Sequence, residues 1–472
     1  MSSCCNNKGY DLAVIGAGSA GFSAAITAAD QGAQVALIGH GTIGGTCVNV
    51  GCVPSKAMIR AMEVMHAGRA AERFDGIEAQ ARLTDWKAVI QQKQSLVDGL
   101  RKAKYIDVLP SYNTIAYVEG QARFDETGDL FVGGKTVAAG KVVIATGSRP
   151  HVPDIQGLTG IRHHDSTSIL ALEALPKSLM VMGGGYVGVE LAQVFARAGV
   201  AVTIVSRRGL LPEAEPEIGA ALTRYFADEG VKVRTVLDYL RVAEVSGQIS
   251  LTVQTDNGEE TLVADELLLA TGRAPNIEGL DLPLAGIELG ERNGIVVDDR
   301  RRTSRAGVYA AGDVTGHDQF VYMAAYGARI AASNALNGDS LRYDNSAMPA
   351  VVFSDPQVAS VGLTELQARE AGIETAVSVL TLDNVPRALA ARDTRGLIKL
   401  VADRQSKRLL GAHILAPEGA DSIQTAAMAI KAGMTYEDLG ATIFPYLTTV
   451  EGLKLAAQTF EMDVSKLSCC AG

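Results

Sequence analysis

One pattern occurs twice in this chain and fixes most of what it can fold into: an apolar strand, a glycine-rich turn, a helix and a second apolar strand. Tyr10–Ile15 (YDLAVI) reads as a buried parallel strand. The turn Gly16-Ala17-Gly18-Ser19-Ala20-Gly21 follows, then a helix to about Gln31 and a strand over Gln34–Ile38. Shifted by 167 residues, Leu179–Met182 is a strand, Gly183-Gly184-Gly185-Tyr186-Val187-Gly188 a turn, Val189–Ala198 a helix and Val202–Val205 a strand. In each turn the glycines at Gly16, Gly18 and Gly21, or Gly183, Gly185 and Gly188, have separate tasks. The first makes the tight turn, the second lets backbone approach a pyrophosphate, and the third lets helix and strand pack closely, with phosphate on the helix N-terminus. A single such turn is weak evidence, but two in full strand-turn-helix-strand context predict two bound dinucleotides.

The residue type at the end of each second strand separates the two nucleotides. An acid there ordinarily holds a ribose 2′-hydroxyl. The second copy instead ends Ser206-Arg207-Arg208. Two guanidiniums and no carboxylate favour a 2′-phosphate, hence NADPH, over a merely solvated basic turn. The first copy ends Gly39-His40, again without an acid, so His40 or backbone must substitute. Ala145-Thr146-Gly147-Ser148-Arg149-Pro150 is echoed by Ala270-Thr271-Gly272-Arg273-Ala274-Pro275, and both read as crossings between domains. A third glycine-containing strand exit is Ala310-Ala311-Gly312-Asp313. Beyond about residue 345 the texture is α+β, with strands near Val351–Phe353, Ala376–Leu382 and Leu397–Val401 and a helix over Ser422–Ala432.

Charge and cysteine usage exclude other classes. Lysine plus arginine number 43 against 53 aspartates and glutamates, a net charge of −10, and no basic tract offsets it. Nucleic acid and anionic membrane have no electrostatic footprint here. Leu12–Ala29 carries no formal charge over 18 residues, but Gly16, Gly18 and Gly21 make it a poor lipid-facing helix. No membrane span is expected, and without a secretory leader the chain reads as cytoplasmic. Six cysteines fall in three pairs: Cys4-Cys5, Cys47 and Cys52, and Cys469-Cys470.

The central pair lies in Gly44-Gly45-Thr46-Cys47-Val48-Asn49-Val50-Gly51-Cys52-Val53-Pro54-Ser55-Lys56. Five positions apart on an ideal helix, two side chains diverge by about 140° in azimuth. A disulfide needs Cα atoms within roughly 7 Å, so closure requires a distorted segment, which Gly51 permits. A structural disulfide is improbable in a cytoplasmic chain. Beside a helix N-terminus one of these thiols would have a depressed pKa and stand ready for electron transfer.

GGTCVNVGCVPSK, the two fingerprints, the two ATGxxP motifs and AAGD together resemble the pyridine-nucleotide disulfide oxidoreductase family. The resemblance runs from about Tyr10 to the C-terminus. It implies an α/β fold with two Rossmann-like domains, for FAD and NADPH, and a C-terminal α+β dimerisation domain. The implied division is FAD domain 1–150, NADPH domain 151–270, a segment 271–345 completing the FAD domain, and dimerisation domain 346–472. By motif position the FAD contacts would include Gly21, Gly41, Thr46, Lys56, Ala122, Gly147, Asp313 and Val321. A Lys56–Glu190 pair near the flavin is a weaker carry-over, since Glu190 also suits a plain helix-face charge.

Disulfide-reducing members of the family resemble one another in a His-Pro-Thr…Glu motif. Here the stretch is Phe444-Pro445-Tyr446-Leu447-Thr448-Thr449-Val450-Glu451, with Tyr446 at the histidine position. A phenol titrating near pH 10 is a poor acid at neutral pH, so disulfide reduction would lose its proton donor. Instead the chain ends Leu467-Ser468-Cys469-Cys470-Ala471-Gly472, two soft thiolates on a chain end. An inert, disordered end is the bland alternative. The tail, Leu382–Ala390 and FPYLT…VEGLKLAAQTF resemble the mercury-reducing branch of the family. That branch implies Hg(II), arriving as a thiol complex, passed from Cys469 and Cys470 to Cys47 and Cys52 of a partner subunit and reduced to Hg(0). Tyr105, in KAKY, and Tyr446 would assist at the metal, with Cys52 nearer the flavin and Cys47 the exchange thiol. Only Met1–Lys8 precede the first strand, so no separate N-terminal metal-binding domain is expected, although Cys4-Cys5 could collect metal. An NADPH-dependent reductase of a small disulfide is the runner-up. A non-catalytic sequestration protein would leave both nucleotide cradles unexplained.

Overall fold

The computed structural model describes residues 9–467, which group into two compact units. The first comprises the chain up to Ser55, Gln91–His151 and Gly272–Asp344. Its centre is a five-stranded parallel sheet ordered Val308–Ala310, Ala139–Ile144, Tyr10–Ile15, Val35–Gly39, Ile115–Glu119. Tyr10–Ile15 reads as an unbroken apolar run because both its faces are covered. Leu12 and Val14 pack toward helices Ser19–Asp30 and Val321–Asn337, whereas Ala13 and Ile15 join Phe124, Leu282 and Ile287 on the other face. Residues 272–344 enter this unit through the pairing of Val308 with Val142.

The second unit comprises Lys56–Ile90, Val152–Thr271 and the chain from Asn345 on. It holds a four-stranded parallel sheet ordered Lys232–Thr235, Ala201–Ser206, Ser178–Met182, Glu266–Leu269. A five-stranded antiparallel sheet runs Pro349–Val352, Gln357–Gly362, Leu409–Ala416, Leu397–Asp403, Thr375–Thr381. Helices Gly419–Lys431 and Glu451–Gln458 contribute Ile423, Ala427, Leu453 and Ala456 to its core. Residues 56–90 sit with this unit rather than with the rest of 1–150. Met58, Met62 and Trp86 share one apolar cluster with Leu191 and Phe195, and the Trp86 and Phe195 rings lie 5.7 Å apart. Burying those side chains outweighs continuity along the chain. The helix of the second fingerprint begins at Tyr186, earlier than its apolar periodicity suggests, because extended Gly185 caps it as Gly18 caps Ser19.

Candidate functional site

In the first unit the turn after Tyr10–Ile15 is glycine-specific. Gly16 has φ +117°, and a Cβ there would strike the Ala145 carbonyl. A Cβ at Gly21 would strike the Gly16 carbonyl oxygen. Gly18 and Gly45 come so close that a Cβ on Gly45 would lie 2.6 Å from the Gly18 Cα. Helix Ser19–Asp30 has no side-chain cap, which leaves its first amides for a ligand. Gly41, with φ +79°, has open space where a side chain would stand. A backbone-lined cradle at an uncapped helix N-terminus fits the pyrophosphate of FAD. Asp313 opens the short turn after Val308–Ala310, and its Oδ2 accepts from Ser148 Oγ at 2.6 Å. Val321 begins an uncapped helix, Gly147 has φ +71°, and Ala122 is buried in strand Ala122–Phe124.

The cysteines lie in the same unit. Cys47 is in helix Gly45–Val50 with Thr46, and Cys52 opens helix Cys52–Arg69. Gly51 interrupts the two helices at φ −123° and ψ −109°. This glycine folds back so closely that its Cβ would lie 3.3 Å from the Cys47 Cα. The backbone between the thiols therefore has the distortion that an ideal helix would deny them. Both cysteines are half-buried.

Tyr105 joins them. It lies in a π-helical turn, Lys102–Ile106, that continues helix Trp86–Arg101, and its ring meets the edge of Phe22 at 4.8 Å. Its hydroxyl is 3.3 Å from Ser19 Oγ. Burial and the nearby charges of Cys47 and Cys52 raise its pKa, although the Ser19 contact opposes them. Asn49 is a residue the sequence reading missed. Its Nδ2 donates to the Ile43 and Gly45 carbonyls at 2.9 and 2.8 Å, and its Oδ1 accepts from Arg101 at 3.1 Å. Asn49 thus ties the cysteine loop to the helix that carries Tyr105. Its position inside CVNVGC was the available signal.

In the second unit Lys56 and Glu190 form the expected pair, Nζ lying 2.7 and 3.0 Å from the two carboxylate oxygens. Glu190 is buried and also accepts the Phe353 backbone N–H at 2.9 Å, while Lys56 lies over the Phe353 ring at 4.8 Å. Gly183 and Gly188 are constrained as Gly16 and Gly21 are, since a Cβ would meet the carbonyls of Ala270 and Gly183 respectively. Nothing stands near the Cβ position of Gly185, at the uncapped start of helix Tyr186–Arg197. This second cradle fits a second pyrophosphate. The two arginines behave differently. Arg207 lies over the Tyr239 ring at 5.6 Å, and Tyr239 donates to the Val205 carbonyl. Arg208 makes an exposed pair with Glu213 at 2.9 Å.

Tyr446 is exposed. The turn beside it is held by Glu451, which is buried and accepts the Leu447 N–H at 3.0 Å, with Leu447 at φ +60°. Glu451 therefore holds backbone in this turn. Cys4, Cys5, Cys469 and Cys470 lie outside the described residues. Among the described residues no group of three or more His, Cys, Asp or Glu converges as a metal site, and no helix is long and apolar enough to cross a membrane.

The family model for pyridine nucleotide-disulphide oxidoreductases matches residues 10–332, and the model for their dimerisation domain matches residues 348–457. The chain belongs to this family. The family's fold is the one described above; with its mercuric reductase relatives it implies FAD and NADPH as this chain's cofactors, and the dimerisation domain supports a homodimer. The mercuric reductase of Streptomyces lividans is 47% identical over 99% of this chain and 99% of its own length. Those of Shigella flexneri and Lysinibacillus sphaericus are 49% and 45% identical, over 98% and 99% of this chain and 82% and 85% of theirs. Among solved structures, the Cu(II) complex of the HOCl-induced flavoprotein disulfide reductase RclA from Escherichia coli is 33% identical. It superposes with a TM-score of 0.84 over 96% of this chain and 99% of its own.

Proposed function

We infer that this oxidoreductase uses NADPH and FAD to reduce Hg(II) to Hg(0). The observation that carries the reading is near-end-to-end identity of 45–49% to mercuric reductases, in a chain with Tyr446 where disulfide reducers carry histidine. Bound FAD supplies the electron pair that originates as the hydride of NADPH. Cys47 and Cys52 act as two soft thiolate ligands. Each forms an S–Hg bond as one thiolate of the incoming complex departs, so two bonds form and two break. When the pair of electrons reaches the metal, both S–Hg bonds break, both thiolates are retained and neutral Hg(0) leaves. Cys52 is assigned as the thiol nearer the flavin and Cys47 as the exchange thiol.

Tyr105, held protonated by burial, would donate a hydrogen bond to thiolate in the loop that Asn49 braces. Tyr446 of the partner subunit would complete the site, and Cys469 and Cys470 would hand metal in from the chain end. Lys56, held by Glu190, would place a cation by the flavin, and Arg207 and Arg208 would take the 2′-phosphate of NADPH. Dependence on NADPH supports a cytoplasmic site of action. The test is NADPH oxidation by the purified yellow protein with Hg(II) in excess thiol, beside oxidised glutathione and lipoamide. Oxidation that requires Hg(II), with volatile mercury leaving, is expected. Oxidation with a disulfide alone would return the chain to the disulfide-reducing branch.

A further inference from the structure

Strand Val35–Gly39 should end in the acid that holds a ribose 2′-hydroxyl, but it ends in glycine followed by exposed His40. Gly39 is not demanded by its own backbone, since it is absent from the positive-φ glycines of the chain. It is demanded by Tyr117. A Cβ on Gly39 would collide with the Tyr117 hydroxyl and come within 2.8 Å of its Cε2 and Cζ. Strand Ile115–Glu119 lies parallel to Val35–Gly39, with Tyr117 opposite Leu37 and Glu119 opposite Gly39. The Tyr117 phenol leans toward the carboxyl end of the sheet and fills the space that a side chain at position 39 would use. Tyr117 is 37% exposed, and no described residue hydrogen-bonds its hydroxyl.

We propose that Tyr117 replaces the missing acid at the FAD site, its phenol hydrogen-bonding the 2′-hydroxyl of the adenosine ribose. The inference rests on FAD occupying the first fingerprint. A phenol both donates and accepts, so either polarity of that bond is open to it. Burial and the charge of Glu119 keep it protonated at neutral pH. Glu119 is the competing candidate, two residues along on the same face of the strand. Tyr117 is favoured because its hydroxyl is the atom nearest the Cβ position of Gly39, ahead of any atom of Glu119.

The test strips the flavin and measures rebinding by quenching of flavin fluorescence. It uses FAD and an FAD analogue lacking the adenosine 2′-hydroxyl. Tyr117→Phe is expected to weaken FAD about tenfold while leaving the analogue within about twofold. Glu119→Gln should change neither. Gly39→Glu alone should bind FAD poorly, and Gly39→Glu with Tyr117→Ala should recover much of the loss. Wild-type affinity in Tyr117→Phe, an equal loss for FAD and analogue, or a loss confined to Glu119→Gln would each overturn the assignment. A wild-type protein that binds no FAD would overturn the cofactor reading together with it.

Discussion

Tyr105 depends on a single wide turn. The Asp107 N–H donates to the Lys102 carbonyl at 2.9 Å, five residues back, and this extra residue per turn swings the phenol toward Ser19 and the two cysteines. Tyr105→Phe would keep the edge contact with Phe22 and remove only the hydroxyl. A hydrogen bond to a charged partner contributes about 1.5–3 kcal/mol, so Hg(II)-dependent turnover should fall roughly ten- to a hundredfold. Reduction of the flavin by NADPH alone, followed by stopped flow, should be unchanged. An equal fall in both rates would make Tyr105 a packing residue. At this scale the sequence was only partly readable. The break at Gly51 follows from helix geometry and the cysteine spacing, so it could be foreseen. The π turn has no spacing signature, and Tyr105 stood out only through the resemblance of KAKY. The Phe353 amide that binds Glu190 is main chain and leaves no trace in residue types.

Strand Leu397–Asp403 shows the same limit for a whole element. Its sequence LIKLVAD reads as an apolar strand, and nothing in it announces that Lys399 is 1% exposed. Its Nζ lies 2.8 Å from Glu215, 2.9 Å from Glu217 and 2.9 Å from Glu365. Burial alone would lower the lysine's pKa, but these three carboxylates win and raise it. The cluster bolts this strand to helix Pro216–Asp228, which Glu215 precedes, and to helix Glu365–Glu370. Its members come from distant parts of the chain, so local pattern cannot announce it. By contrast, the fingerprint turns are local, and their strands and helices could be placed within a few residues. Lys399→Met would strip the buried Glu215 carboxylate of its lysine, leaving it the Glu365 N–H and the imidazole of His413, a loss of up to about 3–5 kcal/mol. The denaturant midpoint should fall accordingly, and Lys399→Met with Glu215→Met should restore a large part of it. A single variant with an unchanged midpoint would show that the cluster is energetically neutral.

The matched dimerisation domain supports a homodimer, and it carries exposed apolar side chains. Ile443 is 94% exposed, Met428 66% and Tyr446 55%. Exposed apolar side chains of this kind are what a second copy covers, and a two-fold axis gives each subunit the same surface to offer. If Tyr446 completes the partner's site, defects in the cysteines and in Tyr446 should complement across the dimer. One chain would carry Cys47→Ala with Cys52→Ala, the other Tyr446→Ala, with two affinity tags to isolate the mixed dimer. Each parent homodimer should turn over Hg(II) slowly or not at all. In the mixed dimer one site would lack both cysteines and tyrosine. The other would combine intact cysteines from one chain with intact Tyr446 from its partner, so activity should approach about half that of wild type. If each chain built its own site, the mixed dimer would instead show only half the residual rate of Tyr446→Ala, because no site would hold all three groups. The ratio of these two values is the full fold-effect of losing Tyr446, so the assay separates the architectures whenever that residue matters at all.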